Sequence, residues 1–213
     1  MMAETKRKAD LKVIILGDYN VGKTSFVCRY IDGTFQTKEP TIGAAFFLKQ
    51  WGPYNIAVWD TAGDERYTGL SNFYCRNAGA AILAFDMTSV SSFESLWARF
   101  IPLLDSALEN CIKVVVGMKL DLLDSDRTRE ITIEEATKFS REINSNIDIS
   151  HLPKDPYFET SSLKGSNVTE VFEYIFNHCV PLTDAEKRVA GNTGIVDLSK
   201  PVNDGAKDKK KCC

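Results

Sequence analysis

The chain has 213 residues, room for one domain with an arm or tail. Apolar residues make up 44% and charged residues 26%, an ordinary globular composition that excludes a wholly disordered, collagenous or coiled-coil chain. Twenty-six basic against 29 acidic residues give a formal charge of −3, which argues against a general nucleic-acid binder. The strongly apolar run 78–85 is far shorter than the roughly 20 residues a membrane-spanning helix needs, and the polar start 1–10 shows no secretory signal. Cys28, Cys75, Cys111 and Cys179 stand singly in apolar surroundings and read as free buried thiols.

In chain order, 11–16 is a short apolar strand ending at Gly17, and 24–31 is a helix that stops at Gly33. Segments 45–51 and 54–60 are strands joined by the turn Gly52-Pro53, hence a hairpin. Segment 80–86 is another strand. Ser91 and Glu94 have the spacing of a capping box, and Phe93, Leu96, Trp97, Phe100, Leu104 and Leu108 then recur at helical spacing, with a kink expected at Pro102. A strand at 112–116 and a helix at 132–143 follow, the latter with Ile133, Ala136, Phe139 and Ile143 on one side. A last strand, 157–160, precedes an amphipathic helix, 168–179. Six strands alternating with helices predict an α/β fold with a mostly parallel sheet covered on both faces. Ligands of such sheets bind at the carboxyl ends of the strands. The division expected is a basic arm at 1–9, a domain at 10–181, and a flexible tail at 182–213 where periodicity fades among glycines and charges.

The run Gly17-Asp18-Tyr19-Asn20-Val21-Gly22-Lys23-Thr24 matches G-x-x-x-x-G-K-[ST] between a strand and a helix. Glycines let the backbone curl so that successive N–H groups face phosphates, and the helix points its positive end at them. Lys23 would reach the terminal phosphates, and the Thr24 hydroxyl would bind Mg²⁺. This motif implies a nucleotide without choosing between ATP and GTP. In Trp59-Asp60-Thr61-Ala62-Gly63, Asp60 closes a strand, where a second acidic group can hold Mg²⁺ through water.

With these motifs together, residues 8–180 resemble the Rab branch of the Ras-like small GTPases. Pro40-Thr41-Ile42-Gly43 is similar to the first switch, where Thr41 would ligate Mg²⁺ and sense the γ-phosphate. Phe35 stands where the family stacks an aromatic on guanine. Ile42-Gly43-Ala44-Ala45-Phe46, Asp64-Glu65-Arg66-Tyr67 and Tyr74-Cys75-Arg76-Asn77-Ala78 are versions of segments that mark Rabs, and Phe47-Leu48-Lys49-Gln50-Trp51 with Tyr19-Asn20 is most similar to the divergent Rab-twenty subgroup. The resemblance implies a P-loop GTPase domain with five helices and one antiparallel hairpin strand in its six-stranded sheet. It also implies guanine-nucleotide contacts at Gly17, Asn20, Val21, Gly22, Lys23, Thr24, Ser25, Phe35, Thr41, Asp60, Gly63, Met118, Lys119, Asp121, Ser161, Ser162 and Leu163. Thr24, Thr41 and Asp60 would serve the metal, and Ile42, Phe46, Trp59 and Tyr74 would face effectors. The aromatic trio Phe46, Trp59 and Tyr74 has an alternative reading as largely buried core.

Three departures from the family pattern bear on activity. Asp64 replaces the Gln that orients the attacking water; it is shorter and adds negative charge near the γ-phosphate, which predicts slow hydrolysis with Lys23 and Thr41 still in place. Tyr19 occupies a normally small position near where an arginine finger enters; its ring either blocks that entry or turns to solvent. Met118-Lys119-Leu120-Asp121 replaces Asn-Lys-x-Asp. Asp121 can still accept two hydrogen bonds from guanine, but Met118 lacks the amide of Asn, a loss of about 0.5–1.5 kcal/mol per hydrogen bond that predicts weaker binding and faster exchange. In Thr160-Ser161-Ser162-Leu163, the backbone N–H of Ser162 would face the guanine oxygen, and Leu163 would keep only apolar contact with the base.

The end, Lys207-Asp208-Lys209-Lys210-Lys211-Cys212-Cys213, is not a C-a-a-X box. In Rabs, paired terminal cysteines are the usual site of double geranylgeranylation, and two lipid chains give stable anchoring. The resemblance therefore implies a monomeric GTP/GDP switch with lipids on Cys212 and Cys213, on the cytoplasmic face of Golgi, endosomal or phagosomal membranes, with an escorted cytosolic pool. Its implied partners are an exchange factor, a GTPase-activating protein, Rab escort protein, GDP-dissociation inhibitor and effectors. The alternative is a nucleotide-dependent effector-binding module that scarcely hydrolyses GTP.

Overall fold

A computed structural model of the chain describes residues 9–36, 39–64, 68–125 and 127–186. Six strands, β1 (Leu11–Gly17), β2 (Ala44–Trp51), β3 (Tyr54–Thr61), β4 (Ala80–Asp86), β5 (Ile112–Met118) and β6 (Tyr157–Glu159), form one sheet in the order β2-β3-β1-β4-β5-β6. Only the β2–β3 hairpin is antiparallel; every other neighbouring pair is parallel. The continuous apolar run of β1 explains its central place. Val13 and Ile15 enter one core while Ile14 and Leu16 enter the other, so a strand buried on both faces alternates between two layers rather than between core and water.

The first layer packs Phe26 and Val27 of α1 (Lys23–Asp32) with Phe172 and Phe176 of α6 (Val168–Cys179). Phe172 stacks on Tyr30 at 3.8 Å between ring centres. The second packs Leu96 and Phe100, which continue α3 (Val90–Ser95), with Ala136 of α5 (Ile133–Glu142) and Ile143 at its end. Cys28, Cys75, Cys111 and Cys179 are thiols in no disulfide, the first three buried and Cys179 half-buried.

Besides α1, α3, α5 and α6, the described residues hold two helices the sequence pattern did not reveal: α2 (Thr68–Cys75) and the single turn α4 (Leu120–Leu123). The cap of α3 is Ser89, whose side chain accepts from Ser92 N–H, not Ser91 with Glu94. The capping box lies instead at Thr132 and Glu135, where both reciprocal hydrogen bonds are made. The disturbance at Pro102 is an actual change of helix type: a π turn at Leu96–Phe100 passes into a 3-10 segment at Ile101–Ser106. That change of winding takes Trp97 and Leu108 off the buried face, and both are exposed; Ile133, in the first turn of α5, is exposed as well. Order also continues past 181: Leu182 is buried beside Gly52, and Thr183 and Glu186 exchange capping hydrogen bonds. Residues 187–213, with Cys212 and Cys213, and residues 65–67 lie outside the described residues.

Candidate functional site

The glycine loop runs from the end of β1 into α1. A Cβ at Gly17 would collide with the carbonyl oxygen of Ala84 on β4, so only glycine lets the chain leave the sheet there. Asn20 and Gly22 take positive φ angles of 61° and 108°, which curl the loop before α1 begins at Lys23. Val21 turns its side chain into the core and leaves its backbone to the loop. Lys23 is 5% exposed and donates to the carbonyls of Gly17 at 2.8 Å and Asp18 at 2.7 Å. Burial lowers its pKa to about 8, against the opposing pull of the Asp60 and Asp18 carboxylates.

Three oxygens converge beside it. Thr24 Oγ1 donates to Asp60 Oδ2 at 2.7 Å, Thr41 Oγ1 donates to the same oxygen at 3.3 Å, and the two hydroxyls are 2.9 Å apart. Asp60 is wholly buried, and its Oδ1 has no hydrogen-bond partner. Burial raises the Asp60 pKa, while the Thr24 hydrogen bond and the Lys23 charge pull it down. A buried carboxylate oxygen without a donor is costly, and a hard divalent cation with oxygen ligands would relieve that cost. The donor set therefore fits Mg²⁺.

Lys23, Thr24 and Thr41 face a cavity of about 550 Å³, and the buried Asp60 reaches it only through the two hydroxyls. The cavity is also lined by Ser25, Gly63, Asp64, Ile42 and Tyr19, so the phosphate-side residues singled out in the sequence do come together. Gly63 is pressed against the Asp18–Tyr19 peptide so closely that a Cβ would overlap it. Tyr19 lines the cavity and is 60% exposed, so much of its side chain meets solvent.

The base-side residues lie beyond that lining, at the carboxyl ends of β5 and β6. Lys119 adopts a left-handed conformation and pairs with Asp86 at 2.8 Å, and Ser161 Oγ donates to Asp121 Oδ1. Leu120 N–H donates to Thr160 O at 2.9 Å, which ties the two base-side loops together. Arg29 of α1 donates to the carbonyls of Ser162, Leu163 and Gly33. Phe35 and Leu163 are both partly exposed. Met118 departs from its expected place: it is 1% exposed, packed in the core with Val21 and Phe26, and its sulfur accepts from Thr160 Oγ1 at 3.8 Å. It fills core space at the position where the Rab pattern has Asn, and does not face the cavity as a nucleotide contact was expected to.

The aromatic trio divides between the two readings, with Trp59 and Tyr74 packed against the second core layer and Phe46 turned outward. Phe46 is 53% exposed and Trp59 and Tyr74 are half-buried, in a chain of ring contacts at 5.1 and 5.5 Å. Ile42 beside them is 80% exposed. Two cations escaped the sequence reading altogether: Arg29, and Arg99, which pairs with Asp18. Their partners lie 133 and 81 residues away, so no local pattern marks them.

The Ras family model matches residues 12–180. The chain belongs to the Ras family, in its Rab branch. It is 35% identical to human Ras-related protein Rab-20 across 97% of this chain and 99% of that protein. It is 32% identical to human Ras-related protein Rab-31 across 96% of this chain and 97% of that protein. Ras-related protein Rab-24 of Dictyostelium discoideum is 36% identical across 98% of this chain and the whole of that protein. The protein is thus a Rab-like small GTPase that binds guanine nucleotide, hydrolyses GTP and acts in membrane trafficking.

Proposed function

We propose that the protein is a GTP/GDP switch whose intrinsic hydrolysis is slow and whose state is read at its aromatic surface. The observation that carries this reading is the oxygen cluster of Thr24, Thr41 and Asp60, with the orphaned Asp60 Oδ1. Thr24 and Thr41 would ligate Mg²⁺, and Asp60 would hold it from behind through water; bound there, the metal supplies positive charge to the phosphate oxygens. Lys23 adds a buried cation on the terminal phosphates, and Gly17, Asn20, Val21, Gly22 and Ser25 offer backbone and side-chain donors around them. Asp121 accepts from guanine, Ser162 N–H meets its oxygen, and Phe35 and Leu163 cover the ring. Adenine would leave the Asp121 carboxylate without its donors.

Thr41 joins the first switch to this cluster. Its hydroxyl contacts both Thr24 and Asp60, so loss of the γ-phosphate and metal would free the segment that carries Ile42 and, through β2, Phe46. Those two residues with Trp59 and Tyr74 form the proposed effector surface. Asp64 lines the cavity but carries an anionic group where a neutral amide would steer water, and Tyr19 lines the same cavity. This supports the second reading, a nucleotide-dependent binding module that scarcely turns over. Single-turnover hydrolysis of bound GTP separates the two: measurable turnover by the wild-type protein supports the cycling switch, and none supports the module.

For the segments beyond the described residues, the proposal follows the Rab pattern. Cys212 and Cys213 would carry prenyl groups delivered with Rab escort protein. They would anchor the chain to the cytoplasmic face of Golgi, endosomal or phagosomal membranes, and GDP-dissociation inhibitor would hold a cytosolic pool. An exchange factor, a GTPase-activating protein and effectors complete the partners of a monomeric switch.

A further inference from the structure

Lys23 is not the only ionic group built into the phosphate loop. Asp18, the second residue of that loop, sends its carboxylate to Arg99 Nη1. The pair is largely shielded, with 21% of the Asp18 side chain and 32% of the Arg99 side chain exposed. The same Asp18 offers its carbonyl to Lys23 Nζ at 2.7 Å, and its peptide link to Tyr19 is the surface on which Gly63 rests. Arg99 lies in the π turn Leu96–Phe100, and such turns commonly sit at functional positions. Its guanidinium is 5.1 Å from the Phe100 ring, which helps to fix its direction. Both charges reach Lys23: Asp18 draws its pKa upward and Arg99 draws it downward.

We propose that Arg99 is a positioning residue for nucleotide retention, acting through Asp18. It holds the Asp18–Tyr19 peptide where Lys23 and Gly63 both meet it, and it neutralises a carboxylate that would otherwise stand uncompensated in the loop that cradles the phosphates. The α3 segment is thereby tied to the phosphate loop. This rests on the guanine-nucleotide reading of the site.

The test is dissociation of a fluorescent GDP from the full chain in the presence of magnesium, for wild type, Arg99→Met, Arg99→Lys, Asp18→Asn and the double variant Asp18→Asn/Arg99→Met. Arg99→Met leaves the carboxylate unpaired and should release GDP about tenfold faster, a typical scale for breaking a shielded charge pair. Arg99→Lys should recover most of that loss. The double variant, which removes the stranded charge, should release GDP more slowly than Arg99→Met alone. A purely packing role for Arg99 predicts no such relief, and melting midpoints show whether each variant is folded. Wild-type release from Arg99→Met, or a double variant as fast as that single one, overturns the positioning role. A wild-type protein that holds no GDP at all overturns the guanine reading instead, and the positioning role with it.

Discussion

Lys23 and Asp60 show what burial does to neighbouring opposite charges. Desolvation drives the lysine pKa down to about 8 and the aspartate pKa up, and a bound phosphate and metal would each act against that shift. The sign for Lys23 follows. Below about pH 8 the ammonium is already present, and nucleotide affinity does not depend on its titration. Above that pH, binding must take up a proton, so affinity should fall as pH rises from about 8 toward the ordinary lysine value of 10.5. Calorimetric titration of GDP in buffers of different ionisation enthalpy, at pH 7 and pH 9, reads this as proton uptake at the higher pH only. Asp64 makes the second residue-scale prediction. Asp64→Gln restores a neutral amide of full reach, and single-turnover GTP hydrolysis should accelerate by at least about tenfold. A variant no faster than wild type would remove Asp64 from the proposal of slow turnover. Lys23, Thr24 and Asp60 were legible in the sequence because their chemistry depends on short spacing. The burial of Met118 was not, because a residue at the end of a strand gives no sign of which way its side chain points.

Among the elements, the strands were the most legible. β1, β4 and β5 are compact apolar runs that must be buried, and the half-exposed β2 is tied to β3 by a recognisable Gly-Pro turn. The helix α2 was hidden because Thr68, Gly69, Ser71 and Asn72 give a short segment little apolar pattern, although Cys75 at its end is buried. The true cap of α3 was obscured by a Ser-rich stretch in which Ser89 and Ser91 compete for the role, and geometry decides for Ser89. Arg29 illustrates what local reading cannot reach. Its position on α1 is unremarkable, yet its guanidinium grips the carbonyls of the loop whose Ser162 N–H would face guanine. Arg29→Ala should loosen that loop and speed GDP release by about tenfold, with a smaller effect on the metal dependence of release. Stopped-flow displacement of a fluorescent GDP, with and without chelator, checks both parts.

At the scale of the molecule, the central strands carry the phosphate loop and Asp60 to the same end of the sheet, and β5 and β6 bring the base-side loops to that end. Paired neighbours β1 and β3 explain why Thr24 and Asp60, 36 residues apart, share a hydrogen bond. The sheet class followed from the alternation of strands and helices, whereas the strand order depends on crossovers that no segment reports. Leu182 and Thr183 extend the ordered part past α6, so the proposed tether would leave from beside the β2–β3 turn. Replacing Cys212 and Cys213 together by serine should abolish stable membrane association in cells while leaving GDP affinity within about twofold, since on the proposed reading two lipid chains would supply the anchoring. Fractionation and nucleotide binding on the same variant measure the two sides.

The convergence of Thr24, Thr41 and Asp60 is tested most directly by the nucleotide the purified protein carries and by how magnesium controls its release. Guanine nucleotide bound one to one, and released at least about tenfold faster when the metal is chelated, is the result expected of oxygen ligands that clamp metal and phosphate together. An adenine nucleotide, or guanine nucleotide whose release ignores the chelator, would contradict it.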